Sequence, residues 1–165
     1  MIRRSHQQDR TKTLSPEEGL VRIYKYCVYQ ERSHQEVRQK LFEFGLKTGE
    51  VDEILSRLIV EGFLNEERFA KTFTGGKFRI KKWGRVKIQR ELSQKGLNEN
   101  CIARGLKEID HQDYLKTLKG LILRKADQSQ EENLFRKRDK IARYVIGKGY
   151  ESDLVWDVMK DLIPD

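Results

Sequence analysis

Three glycines impose a repeat that any fold of this chain has to accommodate. Gly45, Gly96 and Gly149 stand 51 and 53 residues apart, and the sequence around them aligns without a gap. Eight residues before each glycine lies Val37, Ile88 or Ile141, and four before lies Leu41, Leu92 or Val145. One residue after comes Leu46, Leu97 or Tyr150, and six after comes Val51, Ile102 or Val155. Two further columns follow at ten and thirteen residues: Leu55, Leu106 or Met159, then Leu58, Ile109 or Leu162. Apolar residues four apart share one face of a helix, so each unit reads as a helix, a glycine turn and a second helix. Glycine suits the turn because the residue just past a helix C-terminus often needs φ > 0.

A further amphipathic segment precedes each pair and completes three helices per unit. In the first unit Ser15-Pro16-Glu17-Glu18 supplies an N-cap, a proline at the first helical position and an acid at the third, ahead of Leu20, Ile23, Tyr24, Cys27 and Val28. Asn65 is expected to cap a helix carrying Phe69, Ala70 and Phe73, and Asp110 one carrying Tyr114, Leu118, Leu121 and Ile122. Ser33 and Glu36 form another capping box. Gly75-Gly76 is expected to break or kink its helix, because each interior glycine costs about 1 kcal/mol. A polar loop is expected over 126–132. The expected class is all-α, nine helices in three tandem three-helix repeats. They are bounded at 14–63, 64–109 and 110–165, after a flexible basic tail at 1–13. Repeats of about 50 residues bury little alone and should lean on their neighbours.

Charge becomes informative once it is located. The net charge is +8, yet residues 1–70 hold 12 bases and 12 acids, and residues 96–165 hold 13 of each. The whole excess falls in 71–95, where nine bases face one acid, Glu91. A solvated helix face normally mixes signs, so this stretch calls for an anionic partner. The candidate contact residues are Lys77, Arg79, Lys81, Lys82, Arg85, Lys87, Arg90 and Lys95, with Phe78 and Trp83 interleaved, either as core aromatics or as candidates for stacking on bases.

Other chemistry finds no foothold. Gly76-Lys77 lacks the remaining glycine and hydroxyl of a phosphate-binding loop. His6, His34 and His111 are scattered in polar surroundings, and Cys27 and Cys101 stand far apart without a CxxC. Neither a metal set nor a disulfide framework is implied. Paired acids such as Glu17-Glu18, Glu66-Glu67 and Glu131-Glu132 sit at expected helix starts, where negative charge complements the helix dipole. No apolar run approaches the roughly 18 residues a membrane span needs, and residues 1–13 lack an apolar core, so the expectation is a cytoplasmic, non-enzymatic chain without cofactor or metal.

The stretch Gly62-Phe63-Leu64-Asn65-Glu66-Glu67-Arg68-Phe69-Ala70 resembles the central signature of the RecX regulators. So do Trp83-Gly84 with Ile88, Glu91-Leu92 and Lys95-Gly96-Leu97, and Arg32-Ser33 with Glu36, Lys40 and Leu41. The similarity covers about residues 15–162; the third repeat matches only at its apolar columns. The resemblance implies an elongated, curved array of three repeats; the chain is expected to be a monomer. It would bind in the groove of the RecA–DNA filament, made on single- or double-stranded DNA, and restrain its recombinase, ATPase and coprotease activities. Its implied contact region is the basic middle repeat, at Arg79, Lys81, Lys82, Arg85, Lys87 and Arg90. A direct DNA-binding helical protein, or a basic helical scaffold for another acidic partner, would carry the same stretch.

Overall fold

In the computed structural model residues 12–165 are described, so His6 and all but the last two residues of the expected N-terminal tail lie outside them. Among the described residues there are nine α-helices and no strand. They are α1 (Pro16–Tyr29), α2 (His34–Glu43), α3 (Thr48–Val60), α4 (Glu66–Lys81), α5 (Arg85–Gln94), α6 (Glu99–Leu106), α7 (His111–Gln128), α8 (Leu134–Gly147) and α9 (Ser152–Leu162). The helix starts follow the side chains that satisfy free amides. The Ser15 and Ser33 hydroxyls accept from the Glu18 and Glu36 amides, and each glutamate reaches back to its serine's amide, closing two capping boxes. Asp110 accepts from the Asp113 amide at the start of α7, and α4 begins directly after Asn65.

The glycine turns explain why the apolar columns recur. Gly45, Gly96 and Gly149 take φ of 84°, 83° and 103°, each one residue past a helix C-cap. At Gly96 the glycine amide donates to Ser93 and the Leu97 amide donates to Leu92, at 3.0 and 3.3 Å. Gly45 with Leu46, and Gly149 with Tyr150, repeat the pattern. This is a Schellman ending, in which the residue after the glycine packs on the residue four before it. The columns at minus four and plus one are those two residues. All eighteen column residues are buried except Leu106 and Leu162, which are partly buried against the core.

The chain divides into two compact units, Met1–Asn65 and Glu66–Asp165. The first encloses a core of Ile23, Val37, Leu41, Leu46, Val51, Ile54, Leu55, Leu58 and Leu64 among α1–α3. In the second, one continuous core runs from Phe69 on α4 to Met159 on α9, so the middle and third triplets share an interior.

Three local expectations need correction. Helix α4 passes through Gly75-Gly76 without a break over 16 residues. Its close contact with α6 outweighs the glycine cost: a methyl group on Gly105 of α6 would stand 2.7 Å from the Ala70 methyl on α4. Ile109 lies beyond the end of α6 in a tight turn, where its amide bonds to the Leu106 carbonyl, although it is still buried. Finally, α7 continues to Gln128, so the polar loop covers 129–133.

Candidate nucleic-acid interface

The charge excess of 71–95 occupies the second half of α4, the turn after it, and α5. Arg79, Lys81, Lys82 and Arg90 are exposed and form no ion pair with any described residue. Lys77, Arg85, Lys87 and Lys95 are half-buried and engaged. Lys77 and Lys87 lie over the Trp83 ring, 4.9 and 4.3 Å from its centre, and Lys77 and Lys95 lie over Phe73 at 5.4 and 5.7 Å. The Phe73 and Trp83 rings meet edge to face at 6.5 Å. These ammonium groups are held by ring quadrupoles, and the Trp83 ring is half-buried beneath two of them.

Phe78 is not where stacking on a base requires it. It is 7% exposed and packs in the core beside the Tyr114 ring, 5.9 Å away. Its position between Lys77 and Arg79 follows the helical period, which turns it inward while Arg79 points to solvent.

The turn between α4 and α5 is held from the third triplet. Lys82 has φ of 59°, a left-handed conformation rarely taken by a residue with a side chain. Its amide bonds to the Phe78 carbonyl at 3.1 Å, and its own carbonyl accepts from the Tyr150 hydroxyl at 3.0 Å. Next along the chain, the Gly84 and Val86 amides donate to the Lys148 and Gly149 carbonyls, both at 2.9 Å. The free amides at the start of α5 thus satisfy free carbonyls at the end of α8. A side chain on Gly84 would collide with the backbone of Gly149 and Tyr150, so only glycine allows that approach.

Behind the turn, fully buried Tyr114 accepts from the Arg85 amide at 3.1 Å and donates to Glu151 at 2.7 Å. The Arg85 guanidinium lies 3.9 Å from the centre of the Tyr114 ring and 3.7 Å from Glu151. Burial pushes both the Tyr114 and Tyr150 phenols well above their ordinary range, so they remain neutral hydrogen-bond donors. Arg85 is therefore part of the scaffold that fixes the turn. Sequence reasoning missed Tyr114, Tyr150 and Glu151 as supports, because their partners lie 29 to 68 residues away.

A cleft of about 390 Å³ opens between α4 and α7, lined by Phe78, Arg79, Lys82, Asp113, Lys116, Thr117, Gly120, Leu121 and Arg124. It brings Arg79 and Lys82 together with two cations of the third triplet, Lys116 and Arg124. No group of three or more His, Cys, Asp or Glu side chains that could hold a metal occurs among the described residues. No helix among them is long and apolar enough to cross a membrane.

The family model described as RecX, second three-helix domain, matches residues 65–106, which contain the basic stretch. The regulatory protein RecX of Prosthecochloris aestuarii is 28% identical over 147 residues, covering 88% of this chain and 93% of that protein. The chain thus resembles the RecX regulatory proteins over most of its length. The RecX of Bacillus cereus strain B4264 is 23% identical over 83% of this chain, which spans 51% of that longer relative. The crystal structure of RecX from Lactobacillus salivarius shares the fold, with a TM-score of 0.80 over 89% of this chain and 96% of that one at 22% identity.

The positions through which the chain resembles RecX serve mainly to build its helices. Ser33 and Glu36 close a cap, while Arg32 bonds to the Tyr26 carbonyl and lies over its ring. Gly62 and Gly96 end helices with positive φ, Gly84 admits the α8 terminus, and Phe69 and Leu92 are core. Arg68 is exposed and Glu91 half-buried.

Proposed function

We propose that this chain is a RecX-type regulator, mainly negative, of the RecA recombinase. It binds the RecA–DNA filament and restrains strand exchange, ATPase and coprotease activity. One observation carries the reading beyond the relatives' name. Four exposed cations, Arg79 and Lys81 at the end of α4, Lys82 just past it and Arg90 on α5, form no ion pair among the described residues and flank a turn whose backbone is tied down by Tyr150 and the end of α8. A surface that holds uncompensated positive charge in a fixed geometry suits a regular polyanion, whose phosphates recur at fixed spacing. The chain acts as a monomeric binding protein of the cytoplasm, without cofactor or catalytic step of its own. Its three repeats span 14–63, 64–109 and 110–165.

The test is a titration of RecA ATPase activity on single-stranded DNA with the purified chain. The expected result is a progressive fall in turnover that is relieved when Arg79, Lys81, Lys82 and Arg90 are replaced by Ala. Unchanged ATPase activity together with tight binding to naked DNA would favour a plain DNA-binding protein. Capture of neither RecA nor DNA would favour a scaffold for another acidic partner.

A further inference from the structure

Helix α7 presents a stripe that the charge count along the chain does not reveal. Asp113, Lys116, Thr117, Gly120 and Arg124 stand at positions i, i+3, i+4, i+7 and i+11, so they share one face, and all five line the cleft against α4. Four cations, Arg79, Lys82, Lys116 and Arg124, surround this cleft against a single acid, Asp113. Gly120 is the second and independent observation. It sits inside an 18-residue helix, where glycine is unfavourable, and a methyl group built on it would meet nothing within 4 Å. Three other helical glycines have a neighbour that a methyl would crowd: Leu46 for Gly19, Arg79 for Gly75 and Ala70 for Gly105. Gly76 is also open, as are Gly49 and Gly147 near helix ends, but none of the three lines this cleft. No described part of the protein needs Gly120 to be small, yet it forms the floor between the cations.

We infer that the α4–α7 cleft seats the sugar–phosphate backbone of a nucleic-acid strand, with Lys116 and Arg124 joining Arg79 and Lys82 on the phosphates and Gly120 giving the strand its closest approach. An acidic protein carries its charge at the tips of side chains, which reach cations across a gap. A nucleic-acid strand carries charge on the main chain itself, so the strand must come near, and a missing side chain on the floor admits it. Arg79 and Arg124 offer planar forks that match phosphate oxygens. The inference rests on the polyanion reading above and extends it to the third triplet.

Binding of a fluorescein-labelled oligodeoxythymidylate, measured by anisotropy at fixed low salt, separates the two. Replacing Lys116 and Arg124 by Ala should weaken binding by about tenfold or more, the weight of a lost charge-assisted hydrogen bond. Gly120→Leu keeps every charge and should weaken binding comparably by filling the floor. Gly120→Ala should raise the melting temperature by about 2–4 °C through helix propensity, which monitors folding independently. If Lys81→Ala with Arg90→Ala weakens binding while the Lys116, Arg124 and Gly120→Leu variants match the parent, the cleft is not the strand's seat and the broader reading survives. If none of these variants weakens binding, both fail. If polyglutamate displaces the oligonucleotide as effectively as unlabelled oligonucleotide does, a general acidic partner replaces the strand.

Discussion

Lys82 carries two opposing demands at one position. Its φ of 59° places a residue with a Cβ in the left-handed region, which costs roughly 1–2 kcal/mol relative to a right-handed conformation. The conformation persists because the Tyr150 hydroxyl holds the Lys82 carbonyl and the following amides are bound to the end of α8. Glycine would adopt it without strain, although it would also loosen the unfolded chain. Lys82→Gly is therefore expected to raise stability by up to about 1 kcal/mol in urea denaturation while weakening nucleic-acid binding, because it removes an exposed cation from the cleft. A fall in stability would show that the left-handed turn is not strained. Sequence reasoning picked out Lys82 for its charge alone; nothing in one lysine's neighbours signals the sign of its φ. Phe78 stays open between core and stacking for a related reason, since a ring between two cations can face either way until the helical phase is fixed by its contacts.

Among the elements, the glycine turn and the helix on each side of it were legible because their determinants are local. Gly96, Leu92 and Leu97 make one Schellman ending, so a column of small and apolar residues reports a single physical motif. Leu92 has no exposed surface and lies in the continuous core of the second unit. Leu92→Ala should cost about 2–5 kcal/mol, read as a lower midpoint in urea with little change in slope. A loss under about 0.5 kcal/mol, the level of a surface change, would mean that α5 turns another face inward. What the sequence did not show is how one element rescues another. Gly75-Gly76 looked like a break because propensity was the only term in view, whereas α6 packs on that helix closely enough to hold it. The cations of α7 were hidden by averaging. Residues 96–165 are neutral in sum, but Asp153, Asp157 and Asp161 lie exposed on α9 while Lys116 and Arg124 line the α4–α7 cleft.

For the whole molecule, salt is the variable that separates charge from shape. Each phosphate contact on a single strand contributes about −0.7 to the slope of log affinity against log salt. Replacing Arg79, Lys81, Lys82 and Arg90 by Ala should therefore flatten the slope for naked single-stranded DNA by up to roughly 3 units. Arg90 belongs in this set and Arg85 does not, because Arg85 is committed to Tyr114 and Glu151 and its loss would disturb the turn itself. Charge alone cannot distinguish a RecA–DNA filament from free DNA, since both are polyanions. Preference for the filament has to come from contacts with protein, which release fewer counterions and respond less to salt. On the proposed function, binding to the filament is tighter than to naked DNA and has the shallower salt dependence, and the quadruple variant weakens both. Parallel anisotropy titrations over a range of salt, with and without RecA assembled on the same oligonucleotide, measure the two slopes directly. Equal affinities and equal slopes would remove the filament from the reading and leave a protein that recognises the strand alone.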